Sequence, residues 1–197
     1  KRVRRRPVQP IEEAPRVGVQ LFGGRPAKLA AGRSIYRLEG PVTVDGRPAT
    51  VQTNIGGRAT IETGRNAEVV YAVGESAFIL RGNSKVTLET AQPDSTVLTG
   101  LRLLSGKLLS VFAARKPMQL KAATATIGIR GTGVYMEADP EQTYFCTCYG
   151  VADVQANSDP DSQETIAATH HDKPLYIVQG QPAGRNIRPA PFINHTD

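Results

Sequence analysis

From Ser34 to Val178, short stretches of β-branched and aromatic residues recur about every ten residues, each bounded by Gly, Asn, Asp or Pro. That spacing is the signature of an all-β sandwich or barrel. Strands are predicted near Ser34–Leu38, Val42–Val44, Thr50–Gln52, Ala59–Glu62, Glu68–Ala72, Ala77–Arg81, Lys85–Glu89 and Leu101–Leu104. They continue near Lys107–Val111, Met118–Lys121, Gly133–Glu137, Thr143–Thr147, Val151–Gln155, Thr165–Thr169 and Leu175–Val178. In Lys85-Val86-Thr87-Leu88-Glu89 and Met118-Gln119-Leu120-Lys121 the apolar side chains alternate, so one face of each strand is buried. Val44-Asp45-Gly46, Leu80-Arg81-Gly82-Asn83 and Asp139-Pro140 supply turns. Helix has room only over Ser110–Arg115.

The 19 glycines and 14 prolines in 197 residues exceed the average combined share of about 12%, without a collagen period. Hydrophobic residues at 40% and charged residues at 21% are those of a chain that folds. Residues 1–33 are Pro-, Gly- and Arg-rich with no sustained period and read as an extended arm, 34–178 as the β domain, and 179–197 as a tail that wraps the body or dangles.

The net charge of +6 sits in the arm. Lys1, Arg2, Arg4, Arg5 and Arg6 are uncompensated, and the rest of the chain is within one charge of neutral. A nearly neutral body with 6% aromatic residues and no Trp lacks the basic face and stacking platforms of a nucleic-acid-binding domain. The arm suits an acidic partner protein or a membrane surface, each basic residue contributing about 1 kcal/mol near anionic lipid. No apolar run reaches the roughly 18 residues of a spanning helix.

Between Leu103 and Val154 stand Ser105-Gly106-Lys107-Leu108-Leu109, Met118-Gln119-Leu120-Lys121, and the string Thr124-Ala125-Thr126-Ile127-Gly128-Ile129-Arg130-Gly131-Thr132. Together with Gly150-Val151-Ala152-Asp153-Val154 they resemble the signature of FecR-like domains, named after the periplasmic regulator of ferric citrate uptake. The resemblance covers about Gly32 to Gln155. It implies an extracytoplasmic domain of jelly-roll-like β-sandwich type that makes protein contacts in signalling or assembly and is not an enzyme. Neither the regulator's membrane helix nor its receptor-docking domain is recognisable, so a stand-alone form is expected, its export signal or anchor lying outside these residues. Gly128, Gly131 and Gly133 are expected to supply positive φ or close backbone approach. Arg130 is expected either to pair with Glu137 or Asp153 or to face a protein partner.

One constellation carries chemistry. Cys146-Thr147-Cys148-Tyr149 is followed by His170-His171-Asp172. Residues i and i+2 of a strand share a face, so two sulfurs point one way. A disulfide between them fits poorly, because the Cα separation approaches the upper limit of about 6.8 Å. Cys146, Cys148, His170 and His171 are therefore candidate ligands for one metal ion, zinc, copper or iron, with Tyr149 and Asp172 in reserve. Buried thiols acting as small hydrophobes, and a strained or redox-active disulfide, stay open beside it. Two of the three histidines sit here and His195 is in the tail. The nucleophile elbow, phosphate-binding loop, dinucleotide loop and zinc-protease helix motifs are all missing from the sequence. The other function class that these residues allow is a small redox or metal-carrying subunit built on the same four side chains.

Overall fold

The computed structural model describes residues 29–113 and 116–195, so the predicted basic contacts Lys1, Arg2, Arg4, Arg5 and Arg6 lie outside the described residues. The described residues form fourteen strands and no helix. These are β1 (Ile35–Glu39), β2 (Val42–Val44), β3 (Arg47–Pro48), β4 (Thr60–Thr63), β5 (Glu68–Val73), β6 (Ser76–Leu80) and β7 (Lys85–Thr90). They are followed by β8 (Leu98–Val111), β9 (Pro117–Lys121), β10 (Ala125–Ala138), β11 (Gln142–Ala156), β12 (Asp159–Ala168), β13 (Leu175–Val178) and β14 (Ile187–Pro189). All belong to one sheet, with β8 beside β9 as its parallel pair.

Three long strands organise it by changing partners midway. The first half of β8 lies between β7 and β9, whereas residues from Gly106 onward lie between β6 and β10. Strand β10 pairs with β9 up to Arg130 and with β8 from Gly133. Strand β11 pairs with β13 before its bend and with β12 after it. Sheets turn corners where a strand bends or bulges, and the sequence places glycine at each corner. Gly106, Gly131 and Gly150 have φ of 90°, 56° and 99°, values that L side chains avoid. The β10–β11 register slips on both sides of Gly133.

The halves of these strands enclose one core. Ile127 and Ile129 before the β10 bend, and Val134 and Met136 after it, belong to the same buried cluster as Leu101, Leu103 and Phe145. Burying each such side chain contributes about 1.5–3 kcal/mol. Beyond Gly150 strand β11 alternates buried and exposed residues, but from Thr143 to Cys148 it is buried on both faces. Its outward side there, Tyr144, Cys146 and Cys148, joins Tyr135 and Leu109 in a second, smaller cluster roofed by Ala190 and Ile193 of the C-terminal segment.

The all-β expectation holds, with differences of detail. Thr50–Gln52 is a turn, because Thr50 N–H donates to Thr53 Oγ1 and Gln52 N–H to Thr50 Oγ1, local bonds that compete with a strand ladder. The pairs of short strands predicted on either side of Gly106 and of Gly150 are single strands, since a bent strand carries the glycine that elsewhere marks a turn. Ser110 and Val111 end β8 where the sequence left room for helix. Strand β12 begins at Asp159, ahead of the strand predicted from Thr165. The tail wraps the body: β14 pairs with β13, and Ala190 N–H donates to Pro174 O.

Candidate metal centre

Cys146 and Cys148 lie on the tail-facing side of β11, as their spacing predicts, and both are unbridged. His171 arrives from the turn after β12. It has φ of 50°, a conformation uncommon for a residue with a side chain, and its backbone N–H donates to Cys148 O at 2.9 Å. Asp172 Oδ2 ties the turn down by accepting Thr169 N–H, Thr169 Oγ1–H and His170 N–H. The Asp172 carboxyl is held below its ordinary value, first by the Thr169 amide and then by that of His170.

The fourth side chain comes from the tail. His195 is 5% exposed, lies stacked on Tyr135 at 4.2 Å between ring centroids, and places Nε2 3.2 Å from His171 Nδ1. His195 Nδ1 sits 2.7 Å from Ile193 O. That contact makes Nδ1 the protonated nitrogen and turns the Nε2 lone pair toward the other donors. Cys146 Sγ is 3.6 Å from His171 Nδ1. One donor atom from each of Cys146, Cys148, His171 and His195 falls within 4.8 Å of every other. The Cys146 thiol is drawn down to about 5, first by a hydrogen bond from Cys148, against an opposing effect of burial, and then by His195 and His171. Phe192 sits over both imidazoles at 4.7 and 4.5 Å between ring centroids and narrows access from solvent.

The expected quartet is therefore revised at one position. His170 is exposed, its ring lying edge-on to His171 at 4.7 Å, and His195 takes the fourth place in the group. The two adjacent rings touch each other, but only His171 brings a nitrogen to the sulfurs. Sequence reasoning missed His195 because about fifty positions separate it from the cysteines. A signal was present: Phe192-Ile193, just upstream of it, is the one adjacent pair of large apolar residues in the tail, and such a pair needs a surface to cover. Tyr149 is exposed, with its ring against Gly133.

Gly131 supplies a positive φ and Gly133 a close approach, a Cβ there lying 2.5 Å from the Tyr149 ring. Gly128 does neither: a Cβ there would meet nothing within 4 Å. Arg130 is exposed and paired in register with Val151 and Pro117. Glu137 instead takes Tyr135 Oη–H, Asn194 Nδ2 and Lys107, and Asp153 takes Thr165 Oγ1–H. Among the described residues Arg130 has no ion pair, so its predicted structural pairing is not formed.

The fold defines the class first: an all-β domain whose bent strands are shared between two halves. A family model described as FecR protein matches residues 58–152, and that stretch is a FecR domain. No curated protein matches the chain. Two crystal structures of a "putative anti-sigma factor" from Parabacteroides distasonis ATCC 8503 are similar in fold, each with a TM-score of 0.51 and 11% identity over 66% of this chain and 58% of that chain. The chain thus spans 58% of the length of the solved structures it matches. Cys146 and Cys148 fall inside the matched stretch, and His171 and His195 beyond it.

Proposed function

We propose that this chain is a non-enzymatic, extracytoplasmic binding module that acts in signalling or assembly by contacting another protein, and that its Cys/His group holds one metal ion. The FecR domain over residues 58–152 carries the first part. The description of the structural neighbours as an anti-sigma factor supports the regulatory class. Among the described residues no helix is long and apolar enough to cross a membrane; in this reading any contact with a membrane surface is made by the basic arm.

The donor set supports the second part. Two soft sulfurs and two imidazoles suit zinc, copper or iron, and three of the four residues are buried. The partner contacts in this reading are outward-facing Arg130 and the basic residues Lys1, Arg2, Arg4, Arg5 and Arg6.

Fractionation of the native host tests the location: recovery of the chain outside the cytoplasm is expected, and cytoplasmic recovery overturns it. A photo-crosslinking residue at position 130 tests the contact in the same cells. A discrete adduct with one protein is expected, and its absence from both position 130 and the arm overturns the binding reading. Elemental analysis of chain purified without chelator or nickel tests the metal. About one equivalent is expected, and no metal together with two freely titrating thiols overturns it.

A further inference from the structure

The four donor atoms come from three separate places. Cys146 and Cys148 belong to β11 in the FecR domain, His171 to the turn between β12 and β13, and His195 to the last described residue of the tail. An ion bound by all four would join the domain to the segment that follows it. Two of their separations are close to those that one ion imposes, and all four donors lie within 4.8 Å of one another. With zinc–nitrogen bonds of about 2.0–2.1 Å and zinc–sulfur bonds of about 2.3 Å, a tetrahedron sets nitrogen–nitrogen edges near about 3.4 Å and nitrogen–sulfur edges near about 3.5 Å. The structure has 3.2 Å between His195 Nε2 and His171 Nδ1, and 3.6 Å between His171 Nδ1 and Cys146 Sγ.

The surroundings are those of a closed site. His195 Nδ1–H is engaged by Ile193 O, which fixes the ring's orientation in the manner of the outer partners of metal-bound histidines. Tyr135 stacks on one side of that ring, and Phe192 lies against both imidazoles. Four protein donors leave no open position for a substrate, which separates structural zinc from catalytic zinc.

We propose that Cys146, Cys148, His171 and His195 form a tetrahedral Zn²⁺ site that clasps the C-terminal tail onto the outer face of the FecR domain. This rests on the metal reading above and adds the ion, the fourth ligand and the consequence. Because one ligand lies on the tail, the ion binds the closed arrangement and not the open one, so zinc shifts the tail toward closure in proportion to its concentration over its dissociation constant. Loss of zinc loosens the cover that Ala190 and Ile193 place over Tyr144, Cys146 and Leu109. The tail keeps other holds, among them Tyr144 Oη with Pro191 O and Ile193 N–H, so chelation loosens it without unfolding the core.

The test uses the full chain, reduced and stripped of metal, titrated with ZnCl₂, with hydrogen exchange followed by mass spectrometry. One zinc per chain is expected, together with at least tenfold slower exchange at residues 190–195 in the zinc form and unchanged exchange in β7. His195→Ala should lose at least tenfold in zinc affinity and all zinc-dependent protection of the tail, while His170→Ala behaves as the wild type. Cobalt substitution should give the intense visible bands of a tetrahedral thiolate site. Zinc bound equally by wild type and His195→Ala would overturn the clasp and leave the metal reading standing. Preference for copper or iron would overturn the zinc assignment alone. No metal in the wild type would overturn both.

Discussion

His195 Nε2 and His171 Nδ1 stand 3.2 Å apart, and the two rings reach that position from different segments of the chain. His171 is aimed by a positive-φ turn and a backbone bond to Cys148. His195 is aimed from the other direction by its own contact to Ile193 and by the Tyr135 ring. Two imidazoles converging on a pair of thiols is an arrangement that a shared cation stabilises, because it satisfies all four lone pairs at once.

Cys146→Ser and Cys148→Ser should each lower bound metal and thermal stability together. At metal a hundredfold above its dissociation constant the wild type gains about 2.7 kcal/mol, and for a chain of this size that corresponds to roughly 5–10 °C in melting temperature. Elemental analysis beside a circular-dichroism melt checks both. Unchanged values in both variants would leave the cysteines as packing residues.

Tyr144→Phe removes one hydroxyl that donates to Pro191 O at 3.0 Å and accepts Ile193 N–H at 3.3 Å. The expected loss is about 1–3 kcal/mol, the range for orphaning partly buried polar groups. It should appear as faster amide exchange after Pro189, with the core strands unaffected. A uniform loss of protection across the sheet would contradict a local fastening role.

Asp159 gives the fold an acid limit. Its carboxylate accepts Ser162 Oγ–H at 2.6 Å, Asn186 Nδ2–H at 2.8 Å and Gly184 N–H at 2.7 Å. Chiefly through Ser162 and then Asn186 its carboxyl is lowered from 3.8 to about 2. A folded-state value below the unfolded one contributes stability that is complete above about pH 4 and is lost as pH falls through about 2. Asp159→Asn should remove that acid dependence and loosen the loop around Asn186. Melting temperature measured from pH 2 to pH 7 for both chains checks it, and parallel curves would refute it.

Gly150→Val should be severely destabilising. The residue has φ of 99°, and a Cβ there would run into Thr132 Cγ2. Backbone strain of about 1–3 kcal/mol adds to overpacking of a similar size. Gly128→Ala, a glycine of the same strand pair with open space around it, is the control and should cost under about 1 kcal/mol. Denaturant midpoints compare the two.

The legible parts of this molecule were those where one period governs. Val86 and Leu88 alternate with polar neighbours because one face of β7 meets the core, and the i, i+2 rule alone placed Cys146 and Cys148 side by side. The bends were hidden because Gly106 and Gly150 look like chain reversals. What makes them corners is a second layer of strands that no local window contains. Thr143 to Cys148 lost its alternation for a similar reason: the tail covers the face that would otherwise be polar. His195 was unreadable as a ligand because its partners come from residues far away in the chain, whereas His170 was plausible only through adjacency.

Strands β8, β10 and β11 each belong to both halves of the fold. Neither half can therefore melt, slip register or be pulled away while the other stays whole, since the same backbone would have to be ordered and disordered at once. Tension applied at one end of β11 is borne directly by the strands beyond its bend. The domain is in this sense a rigid coupler, and the tail packed on its outer face is the part left free to respond.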